Sequence, residues 1–145
     1  TVFGVSPRMR LDLLVNNFVH RALSDQYIIL FEGHFKRNFV HISDVADAFI
    51  FAINNPNKVK NEVFNFGLSE ANISKRQLCE IIKTHIPNFV FQEAALEKDP
   101  DQRNYIVSNK KIEALGFLPK ISLEEGIDEL LKGYEMLKIK RYSNV

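Results

Sequence analysis

Apolar residues recur along the chain at two spacings, and the alternation between the two divides it into elements. Thr1-Val2-Phe3-Gly4 is a β-branched and aromatic run closed by glycine, which predicts a strand. After the turn-rich link Ser6-Pro7-Arg8-Met9-Arg10, residues Leu11, Leu14, Val15, Phe18, Val19 and Ala22 fall at helical intervals. That spacing predicts a helix over Leu11–Leu23, with Asp12 placing negative charge near its N-terminus. Tyr27–Phe31 is a short apolar run that predicts a buried strand, and Glu32-Gly33-His34 turns the chain. Ser43 has the character of an N-cap for a helix Asp44–Asn54, whose apolar positions are Val45, Ala48, Phe49, Ala52 and Ile53.

The second half continues the alternation. Glu62–Phe66, closed by Gly67, has the two-residue period of a strand. Ser74-Lys75-Arg76-Gln77 is a capping box that opens a helix with Leu78, Ile81 and Ile82 on one face, stopped by Pro87. Short strands are expected at Phe89–Phe91 and Tyr105–Val107, on either side of the polar loop Glu97–Asn104. Asn109–Leu115 predicts a short helix ended by Gly116, and Ser122-Leu123-Glu124-Glu125 is a second capping box, starting a terminal helix to about Ile139. Lys140–Val145 is expected to fray.

Composition narrows the class. At 145 residues and 46% hydrophobic content, the chain can bury one core of its own. Lys+Arg 19 against Asp+Glu 18 leaves a net charge of +1, so charge gives no case for nucleic acid or a membrane surface as partner. No apolar run approaches the roughly 18 residues needed to span a bilayer. No stretch has the charged start and apolar core of a secretory signal. A single cysteine, Cys79, cannot form an internal disulfide and sits in an apolar helical context; together these predict a cytoplasmic setting and an inert thiol. His20, His34, His41 and His85 are too scattered for a metal site.

Two arginines stand in apolar settings, Arg37 just before the run Phe39–Ile42 and Arg103 just before Tyr105. A planar guanidinium that keeps its proton suits bidentate contact with phosphate oxygens, although a structural ion pair is the commoner use of a lone arginine. Composition and spacing go no further.

The segment Arg37-Asn38-Phe39-Val40-His41-Ile42-Ser43-Asp44-Val45-Ala46 resembles the Arg, strand, His-x-x-Asp-Val-Ala segment of the extended short-chain dehydrogenase/reductases, the family of nucleotide-sugar epimerases, dehydratases and reductases. The resemblance runs in order along nearly the whole chain. It implies an α/β fold: the last strands of a Rossmann-type parallel sheet (residues 1–10 and 38–70) with a small α+β substrate-binding lobe (residues 11–37 and 71–145). It implies nicotinamide chemistry with NAD or NADP, a nucleotide-diphosphate sugar as substrate, and a homodimeric parent enzyme.

Residue roles follow the same resemblance. Arg37 and Arg103, the latter in an Asp-x-Arg-x-Tyr-type loop, fall on the arginines that grip the diphosphate. Leu13, Leu14 and Asn16 lie in the segment that positions the nucleotide sugar, where Leu13 and Asn16 depart from the family's polar residue and proline. Leu30 belongs to the strand that runs past the base. Thr1, with Val2 and Phe3, lies on the strand that faces sugar and nicotinamide. Asp44 reads as a cap for main-chain N–H groups, and Asn65 as an organiser of the loop after it. Tyr134 and Lys138 have the Tyr-x-x-x-Lys spacing of the superfamily's catalytic pair, but on the terminal helix, where Tyr134 joins an apolar stripe and is expected to pack.

The glycines, six in all, are too scattered to form the Gly-x-x-Gly-x-x-Gly turn that cradles a dinucleotide. The chain therefore reads as the C-terminal part of such an enzyme, with an N-terminal cofactor domain missing and no catalysis expected from these residues unaided. The rival expectation is a binding or interaction domain that kept the fold without the chemistry.

Overall fold

A computed structural model describes residues 1–94 and 103–137. Its elements in chain order are β1 (Val2–Phe3), α1 (Leu14–Ser24), β2 (Tyr27–Leu30), β3 (Lys36–Asn38), β4 (Val40–His41), α2 (Ile42–Asn54), α3 (Pro56–Val59), β5 (Asn72–Ser74), α4 (Lys75–His85), β6 (Val90–Glu93), α5 (Lys110–Glu113) and α6 (Leu123–Leu137). Among the described residues β1 pairs in parallel with β4, β2 in parallel with β6, and β3 antiparallel with β5. The α/β class expected from the sequence is the class observed.

One hydrophobic cluster unites these pairs. Phe3 and Phe39 pack with Val15, Val19 and Ala22 of α1, Ile28 and Leu30 of β2, Leu78 and Ile82 of α4, and Ile127 and Leu130 of α6. Helices α1, α4 and α6 contribute the faces their spacing predicted. Gly4 and Gly126 permit the closest approaches: Gly4 has φ +122 and lies against the His41 ring, and Gly126 lies against the Phe3 ring. An L side chain at Gly4 would meet both backbone strain and the imidazole.

Both capping boxes are present. Ser74 Oγ accepts from the Gln77 N–H while the Gln77 side chain accepts from Ser74 N–H, and Ser122 and Glu125 do the same at α6. The first helix starts later than its periodicity suggests. The Asn16 and Asn17 side chains donate to the carbonyls of Arg10 and Leu11, 3.0 Å each, which holds residues 10–13 out of helix and leaves Leu13 as N-cap. At α2 the cap is His41 rather than Ser43: its Nδ1 accepts the Ser43 N–H at 3.3 Å.

Two expected strands are corrected. Glu62–Phe66 joins no ladder, and β1 lies beside β4 instead. The segment is held by side chains, Lys111 Nζ donating to Glu62 Oε2 and to the Val63 carbonyl, and Asn65 Nδ2 donating to the Ser108 carbonyl. Alternation marked its half-buried faces, but a strand also needs a main-chain partner. Tyr105–Val107 likewise forms no ladder, because the Asn72 amide takes the partner's place. Its Oδ1 accepts from Val107 N–H at 2.8 Å and its Nδ2 donates to Val107 carbonyl at 2.9 Å.

The burial expected of Phe49 and Ile53 also fails: they are 69% and 75% exposed, with Ile50 at 55% beside them. No described helix is long and apolar enough to cross a membrane. Lys138, most of the loop Glu97–Asn104 and the tail Lys140–Val145 lie outside the described residues.

Candidate functional site

The site grows from β3. Pairing with β5 sets Arg37 opposite Ile73 and turns its side chain inward, to 3% exposure. Residues 103–107 run beside β3: Asn104 Oδ1 accepts the Lys36 N–H at 2.9 Å, and Tyr105 N–H donates to the Lys36 carbonyl at 3.2 Å. The same carbonyl accepts from Arg37 Nη1 at 3.2 Å. Arg103 is thereby fixed next to Arg37, and the Tyr105 ring lies under the Arg37 guanidinium, 5.3 Å from centroid to Cζ.

These segments close one side of a cavity of about 250 Å³, walled by Thr1, Leu13, Leu14, Arg37, Lys75 and Arg103, with Asp12 at its edge. Thr1 N–H donates to the Asn38 carbonyl at 2.6 Å, which ties the β1 end to β3. Asp12 is engaged by Arg10 through paired bonds of 2.9 and 2.5 Å, and that contact holds its carboxyl below the usual range. The wall therefore gathers three cationic side chains, Arg37, Lys75 and Arg103, a surface that suits an anion with several oxygens.

Five of the expected residues, Thr1, Leu13, Leu14, Arg37 and Arg103, meet at this cavity although they come from four separate segments. The others lie elsewhere. Asn16 is buried, accepting from Gly4 N–H at 3.1 Å, so its side chain builds the scaffold. Leu30 is 1% exposed in the core, and Phe3, also 1% exposed, stands edge-on to His41. Val2 is half-buried and does not line the cavity. Lys75 and Asp12 were not among the expected site residues. The signal for Lys75 was in the sequence, a lysine directly after a capping-box serine, where acids are the usual choice.

Several neighbours are structural. Asp44, 2% exposed, accepts from the main-chain N–H groups of Lys120 and Ile121 at 2.8 and 3.2 Å. Its capping role is thus played across the fold instead of on its own helix. His41 Nε2 faces Glu129 Oε1 at 3.3 Å, and Glu129 Oε1 also accepts from Val5 N–H. Tyr134 packs as its apolar stripe predicted: its hydroxyl donates to the Asn16 carbonyl at 2.7 Å, and burial raises its pKa. Burial pushes the Cys79 thiol up to about 12, the opposite of an activated nucleophile. Among the described residues no group of His, Cys, Asp or Glu could hold a metal ion.

Residues 1–67 match the family described as the NAD dependent epimerase/dehydratase family. A putative UDP-glucose 4-epimerase of Methanocaldococcus jannaschii is 34% identical over 123 residues, covering 81% of this chain and 37% of that protein. The crystal structure of a UDP-glucose 4-epimerase from Thermotoga maritima, solved with UDP-glucose, superposes with a TM-score of 0.73 at 26% identity, over 96% of this chain and 45% of that one. An ADP-L-glycero-D-manno-heptose-6-epimerase of Helicobacter pylori gives a TM-score of 0.72 at 27% identity, over 94% and 43%. The chain belongs to the NAD dependent epimerase/dehydratase family, and it spans less than half the length of these relatives.

The described residues do not fit the family's dinucleotide. A pyrophosphate cradle needs a glycine turn between a strand and a helix N-terminus. Here β4 runs straight into α2 through His41, and Gly4 after β1 is packed on the His41 ring, with α1 starting only at Leu14. Phe3, expected against nicotinamide, is committed to the core.

Proposed function

We propose that this chain forms the substrate-binding side of an NAD-dependent nucleotide-sugar epimerase or dehydratase, and that the cavity at β3 holds the nucleotide-sugar diphosphate. The carrying observation is the convergence of Arg37 and Arg103 on one small cavity from segments 66 positions apart in the chain (103 − 37). Two guanidinium groups offer paired donors to the oxygens of both phosphoryl groups, and fixing the diphosphate fixes the attached sugar relative to the rest of the enzyme. Leu13 and Leu14 give the adjoining wall an apolar surface. The redox step uses residues outside this set, so the chain alone turns over no sugar nucleotide.

The parallel pair β1 and β4 supports the same reading. Parallel sheets are covered on both faces and built from more strands than two. The exposed apolar side of α2, Phe49, Ile50 and Ile53, is where the remaining part of the enzyme would pack.

Calorimetric titration with UDP-glucose and dTDP-glucose tests the assignment. Arg37→Lys keeps the charge and loses the fork, so it weakens binding about tenfold or more. Unchanged affinity in that variant removes Arg37 from the site.

A further inference from the structure

Where β5, α4 and the start of α6 meet, the surface carries a groove of about 390 Å³ that runs on into a smaller one of about 90 Å³, the two sharing Ile73, Ile81 and Glu124. Its floor is apolar, with Ile73 and Ile81 half-buried and Leu123 buried, while Glu70, Glu80 and Glu124 stand exposed on its rim. Among the described residues no lysine, arginine or histidine lines either part, and none of the three carboxylates forms an ion pair. The ion pairs of α4 and α6 use other acids: Arg76 goes to Glu93 and His85 to Asp128. An apolar floor under a rim of carboxylates suits a segment that interleaves apolar side chains with cations.

The chain itself holds such a segment. Lys138-Ile139-Lys140-Arg141-Tyr142-Ser143-Asn144-Val145, the residues after α6, carry three cations, three apolar side chains and no acid. Reach decides which copy supplies it. Glu124 and Leu137 lie on one helix, 13 positions apart (137 − 124), which is about 20 Å at 1.5 Å per residue. Arg141, four residues past the helix end, extends at most about 14 Å from Leu137, so a chain's own tail stops short of laying its cations along the groove. A second copy has no such tether. We propose that this groove docks the basic tail Lys138–Val145 of a second copy of the chain, its cations meeting the rim carboxylates and its apolar side chains the isoleucine floor. Eight residues bury well under the roughly 1,000 Å² of a stable interface, so the docking is transient and exchanging. No residue of the β3 cavity lines the groove, so the docking stands apart from the nucleotide-sugar assignment.

Paramagnetic broadening between copies of the full chain tests this. A spin label is attached at Ser143→Cys, Cys79 being buried, and the labelled chain is mixed with isotope-labelled chain of unchanged sequence. At low salt the amide signals of Ile73, Ile81 and Glu124 in the isotope-labelled chain broaden, and salt at about 0.5 M sharpens them again, because exposed charge pairs are screened. Glu80→Lys with Glu124→Lys in the isotope-labelled chain abolishes the broadening. Glu80→Gln with Glu124→Gln takes its place, with the same loss, where the first pair does not fold. Phe49→Ser with Ile53→Lys leaves the groove signals broadened, which separates this docking from association through α2. Groove signals that stay sharp in the mixture, or that broaden equally in the charge variants, overturn the proposal. Broadening seen only when spin label and isotope share one chain overturns it too, since the groove would then hold its own tail.

Discussion

The guanidinium carbon of Arg37 lies 5.3 Å from the centroid of the Tyr105 ring, and its Nη1 donates to the Lys36 carbonyl at 3.2 Å. The ring and the carbonyl together fix the orientation of the fork before any ligand arrives. Preorganisation of this kind lowers the entropy lost on binding. Tyr105→Leu should therefore weaken nucleotide-sugar binding about threefold to tenfold, the measure of a cation–π contact worth ~1 kcal/mol. Tyr105 is 37% exposed, so the unfolding midpoint should barely move. A large drop in stability with affinity intact would mean that Tyr105 packs and does not orient.

Asp44 ties α2 to the chain before α6 by accepting from Lys120 N–H and Ile121 N–H. Removing a buried carboxylate with such bonds strands both donors. Asp44→Ala should cost about 3 kcal/mol in urea unfolding, and Asp44→Asn, which keeps one acceptor oxygen, noticeably less. Equal losses in the two variants would contradict the account.

Cys79 and Tyr134 make stability fall at high pH. Burial pushes the thiol from 9.0 up to about 12 and raises the phenol above its ordinary 10.0. Below pH 9 both groups are protonated in folded and unfolded chains, and their contribution is complete. Above pH 9 for the thiol, and above pH 10 for the phenol, the unfolded chain releases a proton that the folded chain retains, so stability declines by ~1.4 kcal/mol per pH unit for each group in its own window. Urea midpoints at pH 7, 9 and 11 should be level and then fall. Tyr134→Phe should decline less steeply between 9 and 11; an identical slope would show that the phenol is not held neutral by the fold.

Much of this architecture was legible because local chemistry wrote it. The boxes Ser74/Gln77 and Ser122/Glu125 need only residues three apart, and the helix faces of α1, α4 and α6 need only period. Glu62–Phe66 was misread because alternation reports which side chains are buried, not which main chain lies alongside. Val107 was misread for a related reason: its partner is the side chain of Asn72, 35 positions away, which no local pattern can announce. The cavity was half legible. Arg37 and Arg103 stood out by motif, whereas Lys75 becomes a wall residue only through the β3 and β5 pairing that folds α4 over the site. Phe3 and Leu30 illustrate the converse, since strand residues near a site point alternately toward it and into the core.

The face of α2 carries the last prediction. Phe49, Ile50 and Ile53 are exposed at 69, 55 and 75%, and Val63 at 85%. Contiguous exposed apolar side chains favour association. The chain by itself should self-associate with rising concentration in light scattering. Ile53→Lys with Phe49→Ser should suppress that association and leave the unfolding midpoint within about 0.5 kcal/mol of wild type, because neither side chain is buried in the folded chain. Were the same pair of substitutions to lower stability by several kcal/mol, the face would be covered by the chain's own residues. Should the wild-type chain instead remain a monomer at high concentration, α2 would need no further cover, and the proposal that the rest of an enzyme packs there would fall.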